Sequence, residues 1–249
     1  MIAAGARTFQ DLVPLPPAAF ASGELHGTTV LALRYKDGVL LLADRRATAG
    51  NLIMFDQAEK VLALDDSTVV AISGAFARSV EVCRYLKHSF KYYRRSVLQE
   101  MSLEGKLTEI SRALAGNAPM AMQGIGVFLP IVAAYDKGTG EFGVYFFDGA
   151  GARFQNGSYA CAGSGSERIR GVFEYIARSK GQWQDRPLSE VLADGLEMLD
   201  IAADLDSATG GFNKILPVTR VLDKNGNREL PEETVRKASQ KVLKAAGER

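Results

Sequence analysis

The segment Gly27-Thr28-Thr29, followed at once by an apolar run through Leu33, constrains this chain more than any other stretch. Paired threonines at the start of a strand are common, because β-branched residues favour strands. Cleavage after Gly27, however, would place a hydroxyl and a free α-amine on Thr28, and such an amine can activate a threonine hydroxyl. A nearby lysine would lower the pKa of this amine from its ordinary value of about 7.7–8. The segment therefore predicts either an ordinary strand or a nucleophile with its own base.

The residues before this strand form a polar leader. Asp11 and three prolines, Pro14, Pro16 and Pro17, interrupt the stretch that would be apolar in a secretory signal. We expect residues 1–27 to be a propeptide that is removed on maturation. Residues 28–249 then form one catalytic domain, and a domain of this size buries roughly 70–75% of its unfolded surface.

Charge and composition exclude several classes of partner. Lys and Arg number 30 against 29 Asp and Glu, so the net charge of +1 provides no general attraction to nucleic acid or anionic lipid. No run reaches the ~18–20 apolar residues of a membrane span. The two cysteines, Cys83 and Cys161, lack metal-site spacing and indicate buried thiols in a reducing compartment. We expect a cytoplasmic protein with no metal, cofactor, nucleic acid or membrane partner.

Two local patterns have alternative interpretations. The basic run at residues 87–95 is interleaved with aromatic residues, but its spacing favours a solvated helix face over a nucleic-acid contact. Gly163-Ser164-Gly165-Ser166 precedes a helical pattern and could hold an anion. It lacks the lysine of a P-loop and the full dinucleotide fingerprint, so phosphate binding is the weaker interpretation.

Apolar periodicity predicts two hairpins, two helices, a block of sheet, two more helices, a strand and a closing helix. Strands are expected at residues 28–35, 39–43, 61–64, 68–73, 125–135, 142–147, 159–162 and 216–222. Helices are expected at about 80–93, 103–115, 167–178, 188–204 and from 231 onward. This order indicates layered α+β structure with helices on both faces, rather than alternating βαβ units.

A set of separated motifs, taken together with Gly27-Thr28-Thr29, resembles a proteasome β subunit of the bacterial, actinobacterial type. The motifs are Asp44-Arg45-Arg46, Lys60, Gly74, Ala121-Met122-Gln123-Gly124, Gly163-Ser164-Gly165-Ser166 and Asp206-Ser207-Ala208-Thr209-Gly210-Gly211. The resemblance covers nearly all of the chain after the leader. It implies a four-layer αββα sandwich of two antiparallel sheets between helix pairs, the N-terminal nucleophile hydrolase fold.

The resemblance also implies roles for individual residues. Thr28 would be the nucleophile, with its own amine as general base. Lys60 would lower the pKa of neighbouring groups, and Asp44 would hold Lys60 in its charged form. The N–H of Gly74 would face the oxyanion. Three residues would surround the amine, and the last of them stands where the commoner family pattern has serine: Ser164, Asp206 and Thr209.

Each of these residues also has an ordinary interpretation when it is considered alone. Asp44 and Lys60 could form a surface ion pair, which is usually worth about 0–1 kcal/mol. Gly74 could end a strand, Ser164 could cap a helix, and the segment from Asp206 could be a turn.

Family resemblance further implies a pocket for the substrate residue that precedes the cleaved bond. Its lining would be Ala47, Ala58, Leu62, Ile72 and Phe76. All five are apolar, which predicts cleavage after apolar or aromatic residues; alternatively, some of them fill the core between sheet and helix. Thr48 and Phe76 would offer backbone groups to an extended substrate.

The function implied is a threonine endopeptidase that processes itself between Gly27 and Thr28. The family implies heptameric β rings between α-subunit rings, with an ATPase ring that delivers unfolded proteins. Three alternatives stay open: a catalytically silent structural subunit, a simpler two-ring bacterial peptidase, and a small-molecule amidohydrolase with an N-terminal nucleophile. Retention of Thr28 and Lys60 argues against the first, and the long leader and C-terminal helix argue against the second.

Overall fold

A computed structural model describes residues 27–50 and 52–247, and its elements follow the predicted order with some additions. The strands are β1 (Thr29–Tyr35), β2 (Gly38–Ala43), β3 (Ala47–Ala49), β4 (Leu52–Phe55), β5 (Val61–Asp65), β6 (Thr68–Ala71), β7 (Ile131–Asp136), β8 (Glu141–Phe147), β9 (Arg153–Asn156), β10 (Tyr159–Gly163), β11 (Val218–Asp223) and β12 (Gly226–Glu229). The helices are α1 (Phe76–Val97), α2 (Leu103–Ala115), α3 (Ala118–Ala121), α4 (Ser166–Lys180), α5 (Leu188–Leu205) and α6 (Glu232–Gly247), with a 3-10 turn at Trp183–Asp185.

Two antiparallel sheets of five strands form the middle of the molecule. The first has the order β10-β1-β2-β11-β12 and the second has the order β5-β6-β7-β8-β9, while β3 and β4 form a separate hairpin. Strand β2 is buried along its whole length and β1 along all but one residue. Strands that are apolar on both faces need cover on both sides.

Three hydrophobic cores separate four layers. Successive side chains of β1 alternate between two of these cores, as expected for a strand: Leu31 and Leu33 face α4 and α5, whereas Val30 and Ala32 face the second sheet. The third core lies between the second sheet and helices α1 and α2. The predicted four-layer αββα sandwich is therefore confirmed.

The predicted strand at residues 125–135 is wrong in its first half, because pairing in the sheet begins only at Ile131. Gly124 and Gly126 adopt positive φ angles of 76° and 62°, which interrupt an extended backbone, and Pro130 has no N–H to donate. A single bridge between Phe128 and Gly74 is the pairing in this segment.

Several side-chain predictions can be compared with the structure. The side chains of the basic run on α1 are exposed to solvent, as predicted: Lys87, His88, Lys91, Arg94 and Arg95. Cys83 is buried, but Cys161 is only half-buried because it lies on the edge strand β10. Burial raises the pKa of Cys83 to about 12 and that of Cys161 to about 11. None of the described helices is long and apolar enough to cross a membrane.

Strand pairing brings the ends of three strands to one point. Thr29, the first residue of β1, lies opposite Gly163 at the end of β10, and Val30 lies opposite Ala43 at the end of β2. Thr28 and Asp44 directly precede and follow these paired positions. The site is therefore built on rigid strand ends.

Candidate active site

Thr28 lies between a strained glycine and the start of β1. Gly27 has a φ of 99°, a conformation that only glycine adopts readily. A Cβ at this position would also clash with Thr48 Oγ1. The hydroxyl of the buried Thr28 donates to the Gly27 carbonyl oxygen over 2.5 Å. The nucleophile candidate therefore rests against the carbonyl group of the bond predicted to be cleaved.

Lys60 approaches the same carbonyl from a fully buried position. Its Nζ donates to the Gly27 carbonyl oxygen at 3.0 Å, to Asp44 Oδ1 at 2.8 Å and to the Arg46 carbonyl oxygen. Burial lowers the pKa of Lys60, against the opposing effect of Asp44. Both side chains are inaccessible to solvent, so the alternative of a surface ion pair is wrong.

Asp44 is held by four donors that come from different parts of the chain. Oδ1 accepts from Lys60 and from the Thr29 N–H at 2.8 Å. Oδ2 accepts from the N–H groups of Arg46 and Gly210, both at 2.9 Å. Two donors on each oxygen fill the carboxylate. Asp44 therefore fixes the position of Lys60 and attaches the loop that contains Gly210 to the site.

Asp206 forms a second carboxylate centre, in addition to the one formed by Asp44. Its Oδ2 accepts from Ser164 Oγ and Thr209 Oγ1, each at 2.6 Å, and its Oδ1 accepts from the Ala208 N–H at 3.2 Å. Burial alone would raise the pKa of Asp206, but these hydrogen bonds outweigh it and the net pKa is lowered. Ser164 Oγ also lies 3.4 Å from the carbonyl oxygen of Thr28. The structure thus brings together the three residues expected to surround the amine.

Gly74 borders a cleft that opens beside Thr28. The two hydrogen bonds that flank its bridge, Ala75 N–H to Val127 O and Leu129 N–H to Ser73 O, do not use the Gly74 N–H. The cleft measures about 1130 Å³, and its lining includes Thr28, Gly74 and Ser164. The φ of Gly74 is 95°, and a Cβ would clash with Val127 O. This glycine therefore has a structural requirement as well as its predicted catalytic one.

The five predicted pocket residues divide into two groups. Ala47 and Ala58 are buried near the start of β3 and before β5. The other three belong to the core beneath α1 and α2 or pack against it: Leu62, Ile72 and Phe76. All five lie outside the lining of the large cleft, so a specificity pocket formed by them would be distinct from this cleft.

Sequence reasoning missed Thr29, which is fully buried, contacts Asp44 directly and is linked to Asp206 through Thr209. Its N–H donates to Asp44, and its Oγ1 lies 2.6 Å from Thr209 Oγ1. The sequence offered one signal, the position of Thr29 next to Thr28. Adjacent residues of a strand point to opposite faces, so the residue beside the candidate nucleophile faces the other side of the strand.

The arrangement offers a hydroxyl beside a carbonyl, a lysine Nζ that donates to that carbonyl, and two carboxylates that position these groups. Within residues 27–50 and 52–247, no three His, Cys, Asp or Glu side chains are grouped in a way that could hold a metal ion. Such an arrangement is suited to acyl transfer by a nucleophilic hydroxyl.

Comparison with known proteins shows the family to which this sequence is related. The family model described as "Proteasome subunit" matches residues 24–213. A proteasome subunit beta from Acidothermus cellulolyticus is 36% identical over 229 residues, which cover 88% of this chain and 76% of that protein. A proteasome subunit beta 2 from Thermomonospora curvata is 32% identical over 98% of this chain and 87% of its own length. A proteasome subunit beta from Streptomyces griseus is 32% identical over 92% and 80%.

Proposed function

We propose that this chain, which belongs to the proteasome subunit family, is a catalytic β subunit that acts as a threonine-type endopeptidase. One observation carries the proposal: Thr28 Oγ1 and Lys60 Nζ both donate to the carbonyl oxygen of Gly27. Two donors on one carbonyl oxygen withdraw electron density from its carbon, which makes that carbon easier for a hydroxyl oxygen to attack.

Self-processing begins with attack of Thr28 Oγ1 on the Gly27 carbonyl carbon. The hydroxyl proton leaves, the carbon–nitrogen bond breaks, and the Thr28 nitrogen takes up a proton to become a free amine. Water then hydrolyses the ester between Gly27 and Thr28. The products are a carboxylate on Gly27 and a Thr28 that has both a hydroxyl and an amine, so the leader of residues 1–27 is released.

Peptide hydrolysis repeats this chemistry on a substrate carbonyl. The new amine accepts the proton of Thr28 Oγ1, the oxygen attacks the carbonyl carbon, and the departing peptide amine takes the proton. Water hydrolyses the resulting ester and restores the hydroxyl. Lys60 keeps the pKa of the amine low through like-charge repulsion, and the Gly74 N–H donates to the developing oxyanion.

Membership of the family implies assembly with other proteasome subunits. The biological setting that we propose is more specific. We place the chain in heptameric β rings stacked on α-subunit rings in the cytoplasm, with an ATPase ring that delivers unfolded proteins. The apolar set Ala47, Ala58, Leu62, Ile72 and Phe76 favours cleavage after apolar or aromatic residues. Faster turnover of a fluorogenic peptide with Arg or Asp at that position than of one with Leu or Tyr would contradict this preference.

The test compares Thr28→Ala and Thr28→Ser with the unchanged chain, each co-expressed with an α subunit. Intact mass and N-terminal sequence report self-processing, and a fluorogenic peptide reports turnover. The unchanged chain should begin at Thr28 and hydrolyse the peptide, Thr28→Ala should do neither, and Thr28→Ser should retain part of both.

Two outcomes would replace the proposal. An assembled chain that still begins near Met1 and hydrolyses nothing is a silent structural subunit. A monomer that cleaves a simple amide but no peptide is an amidohydrolase with an N-terminal nucleophile.

A further inference from the structure

We propose that Thr29 is a positioning residue that connects the two carboxylate centres and sets the orientation of Asp206 through Thr209. The proposal rests on the function proposed above, since it concerns the same site. Three features of the structure carry it: the direction of a hydrogen-bond chain, the space left for that chain by a glycine, and a backbone contact to Asp44.

The direction of the hydrogen bonds follows from the chemistry of their members. Asp206 is held in its ionised form and can only accept, so Thr209 Oγ1 must donate to its Oδ2. A hydroxyl has one proton, and therefore Thr209 must accept from Thr29 Oγ1 over the 2.6 Å that separates them. Thr29 and Thr209 are both fully buried, so water cannot replace either partner. The order of donation is Thr29 to Thr209 to Asp206.

Gly165 leaves the space in which the two hydroxyls meet. A Cβ on Gly165 would clash with Thr29 Oγ1 and would lie only 2.7 Å from Thr209 Oγ1. Thr209 Oγ1 accepts from Thr29 and donates to Asp206, so these two hydrogen bonds together fix the orientation of its hydroxyl. Hydrogen bonds in such a chain also polarise one another, so removal of the first weakens the second.

The backbone of the same residue reaches the other centre. The Thr29 N–H donates to Asp44 Oδ1, the oxygen that also accepts from Lys60. Thr29 therefore links the group that holds the lysine with the group that would hold the amine of Thr28. Since Thr29 is inaccessible to substrate, its side chain should affect the chemical step rather than substrate binding.

The experiment measures kcat and KM on a fluorogenic peptide for the particle assembled with α subunits. Thr29→Val keeps the shape and removes the hydroxyl, and Thr29→Ser keeps the hydroxyl. Thr68→Val is the matched control, since Thr68 is also fully buried in a strand and its hydroxyl has no partner among the described residues. Thr209→Val, alone and combined with Thr29→Val, tests whether Thr29 acts through Thr209.

We expect Thr29→Val to lower kcat about fivefold to tenfold, as expected for the loss of one neutral hydrogen bond, with KM unchanged. Thr29→Ser and Thr68→Val should stay within about twofold of the unchanged chain. The double variant should be no slower than Thr209→Val alone, because two residues that act in series are not additive.

Three results would overturn the inference: a kcat for Thr29→Val near that of the unchanged chain, an equal loss for Thr29→Ser, or losses that multiply in the double variant. If Thr29→Val fails to assemble, Thr29→Cys takes its place, because its thiol is a weaker donor of similar size; an undiminished kcat for that variant would also overturn the inference. An inactive unchanged particle would instead refute the proposed function, so the two failures are distinguishable.

Discussion

Lys60 and Lys106 are both buried lysines that pair with an aspartate, yet their surroundings differ. They are 0% and 3% exposed. Lys60 Nζ lies 2.8 Å from Asp44 Oδ1, and Lys106 Nζ lies 2.6 Å from Asp65 Oδ2. Burial and ion pairing therefore do not distinguish the lysine that we propose to be catalytic from a structural one.

Their remaining contacts do separate them. Lys106, on α2, donates to Ser67 Oγ and lies 5.9 Å from the centre of the Phe90 ring. It thus fastens a helix to the turn between β5 and β6. Lys60 instead donates to two backbone carbonyls, one of which belongs to Gly27. Contact with the bond predicted to break is the feature that distinguishes the two.

The largest expected effect comes from Lys60→Met. Without the ammonium group, the Gly27 carbonyl loses one of its two donors and the Thr28 amine loses the charge that lowers its pKa. We expect peptide turnover to fall about 10²–10⁴-fold, the range for loss of an acid–base or electrostatic group, and the leader to stay attached. Initial rates and intact mass measure both effects. Turnover near the unchanged level would show that the contact with Gly27 has no catalytic consequence.

Gly27→Ala should affect turnover only through slower processing. Alanine at a φ near 99° is strained by about 1–3 kcal/mol, and its Cβ would clash with Thr48. We expect release of the leader to slow about 10–100-fold, measured by a time course of intact mass. The matched control starts the chain at Thr28 by removal of a cleavable fusion partner and should show full turnover. Processing at the normal rate would mean that the strained conformation is not required for cleavage.

Lys106→Met should lower stability and leave catalysis unchanged. Ser67 Oγ loses the donor from Lys106 and keeps only its 3.3 Å hydrogen bond to Asp65 Oδ1, whereas the Asp65 side chain is 28% exposed and can be hydrated. A loss of about 1–3 kcal/mol is expected, which lowers the melting temperature by roughly 2–4 °C per kcal/mol, with turnover within about twofold. Lys137→Met, at an exposed pair with Glu100, is the control and should change neither quantity measurably. A large loss of turnover in Lys106→Met would remove the distinction between the two lysines.

Ser164→Ala should give the smallest effect, visible in the pH dependence of stability. The folded-state pKa of Asp206 is lowered, so its stabilising contribution is complete above the unfolded value of about 3.9 and disappears as pH falls through the folded value. Loss of the Ser164 hydrogen bond raises the folded pKa towards the unfolded one. The difference in urea midpoint between the variant and the unchanged chain should be constant above about pH 5 and shrink below about pH 4.

Ser158→Ala is the control for this titration. Ser158 Oγ donates to the neutral Gln184 Oε1, so its effect on the urea midpoint should not change over the same pH range. A difference for Ser164→Ala that stays constant down to pH 3 would show that Ser164 does not influence the ionisation of Asp206.

The layered fold and the half of the site around Asp44 could be predicted from the sequence, and the reason is physical. A tight turn at Lys36-Asp37 aligns β1 with β2, and this register places Asp44 beside Thr29. The apolar pattern on both faces of these strands predicts cover on both sides. A contact between the start of β1 and the end of β2 therefore follows from local rules.

The half of the site around Thr209 could not be predicted from local sequence patterns, because it depends on contacts between distant parts of the chain. Thr209 is 180 positions from its partner Thr29, and no local pattern brings a loop after α5 to the start of β1; only the resemblance placed it there. Four strands also escaped prediction, namely β3, β4, β9 and β12. Of these, β4 is apolar at all four positions yet exposed, and β9 is mostly polar. Neither shows the alternation that identifies a half-buried strand.

Because Gly27 has no side chain, selection for maturation and selection for substrate specificity can act on different residues of this chain. Gly27 has no side chain to place in a specificity pocket, so the proposed cleavage after it makes no demand on the apolar set around Ala47 and Leu62. In a subunit that processes itself, substrate specificity and removal of the leader can therefore evolve independently. Substitutions in that apolar set can redirect which proteins are cut without leaving the subunit trapped as its precursor.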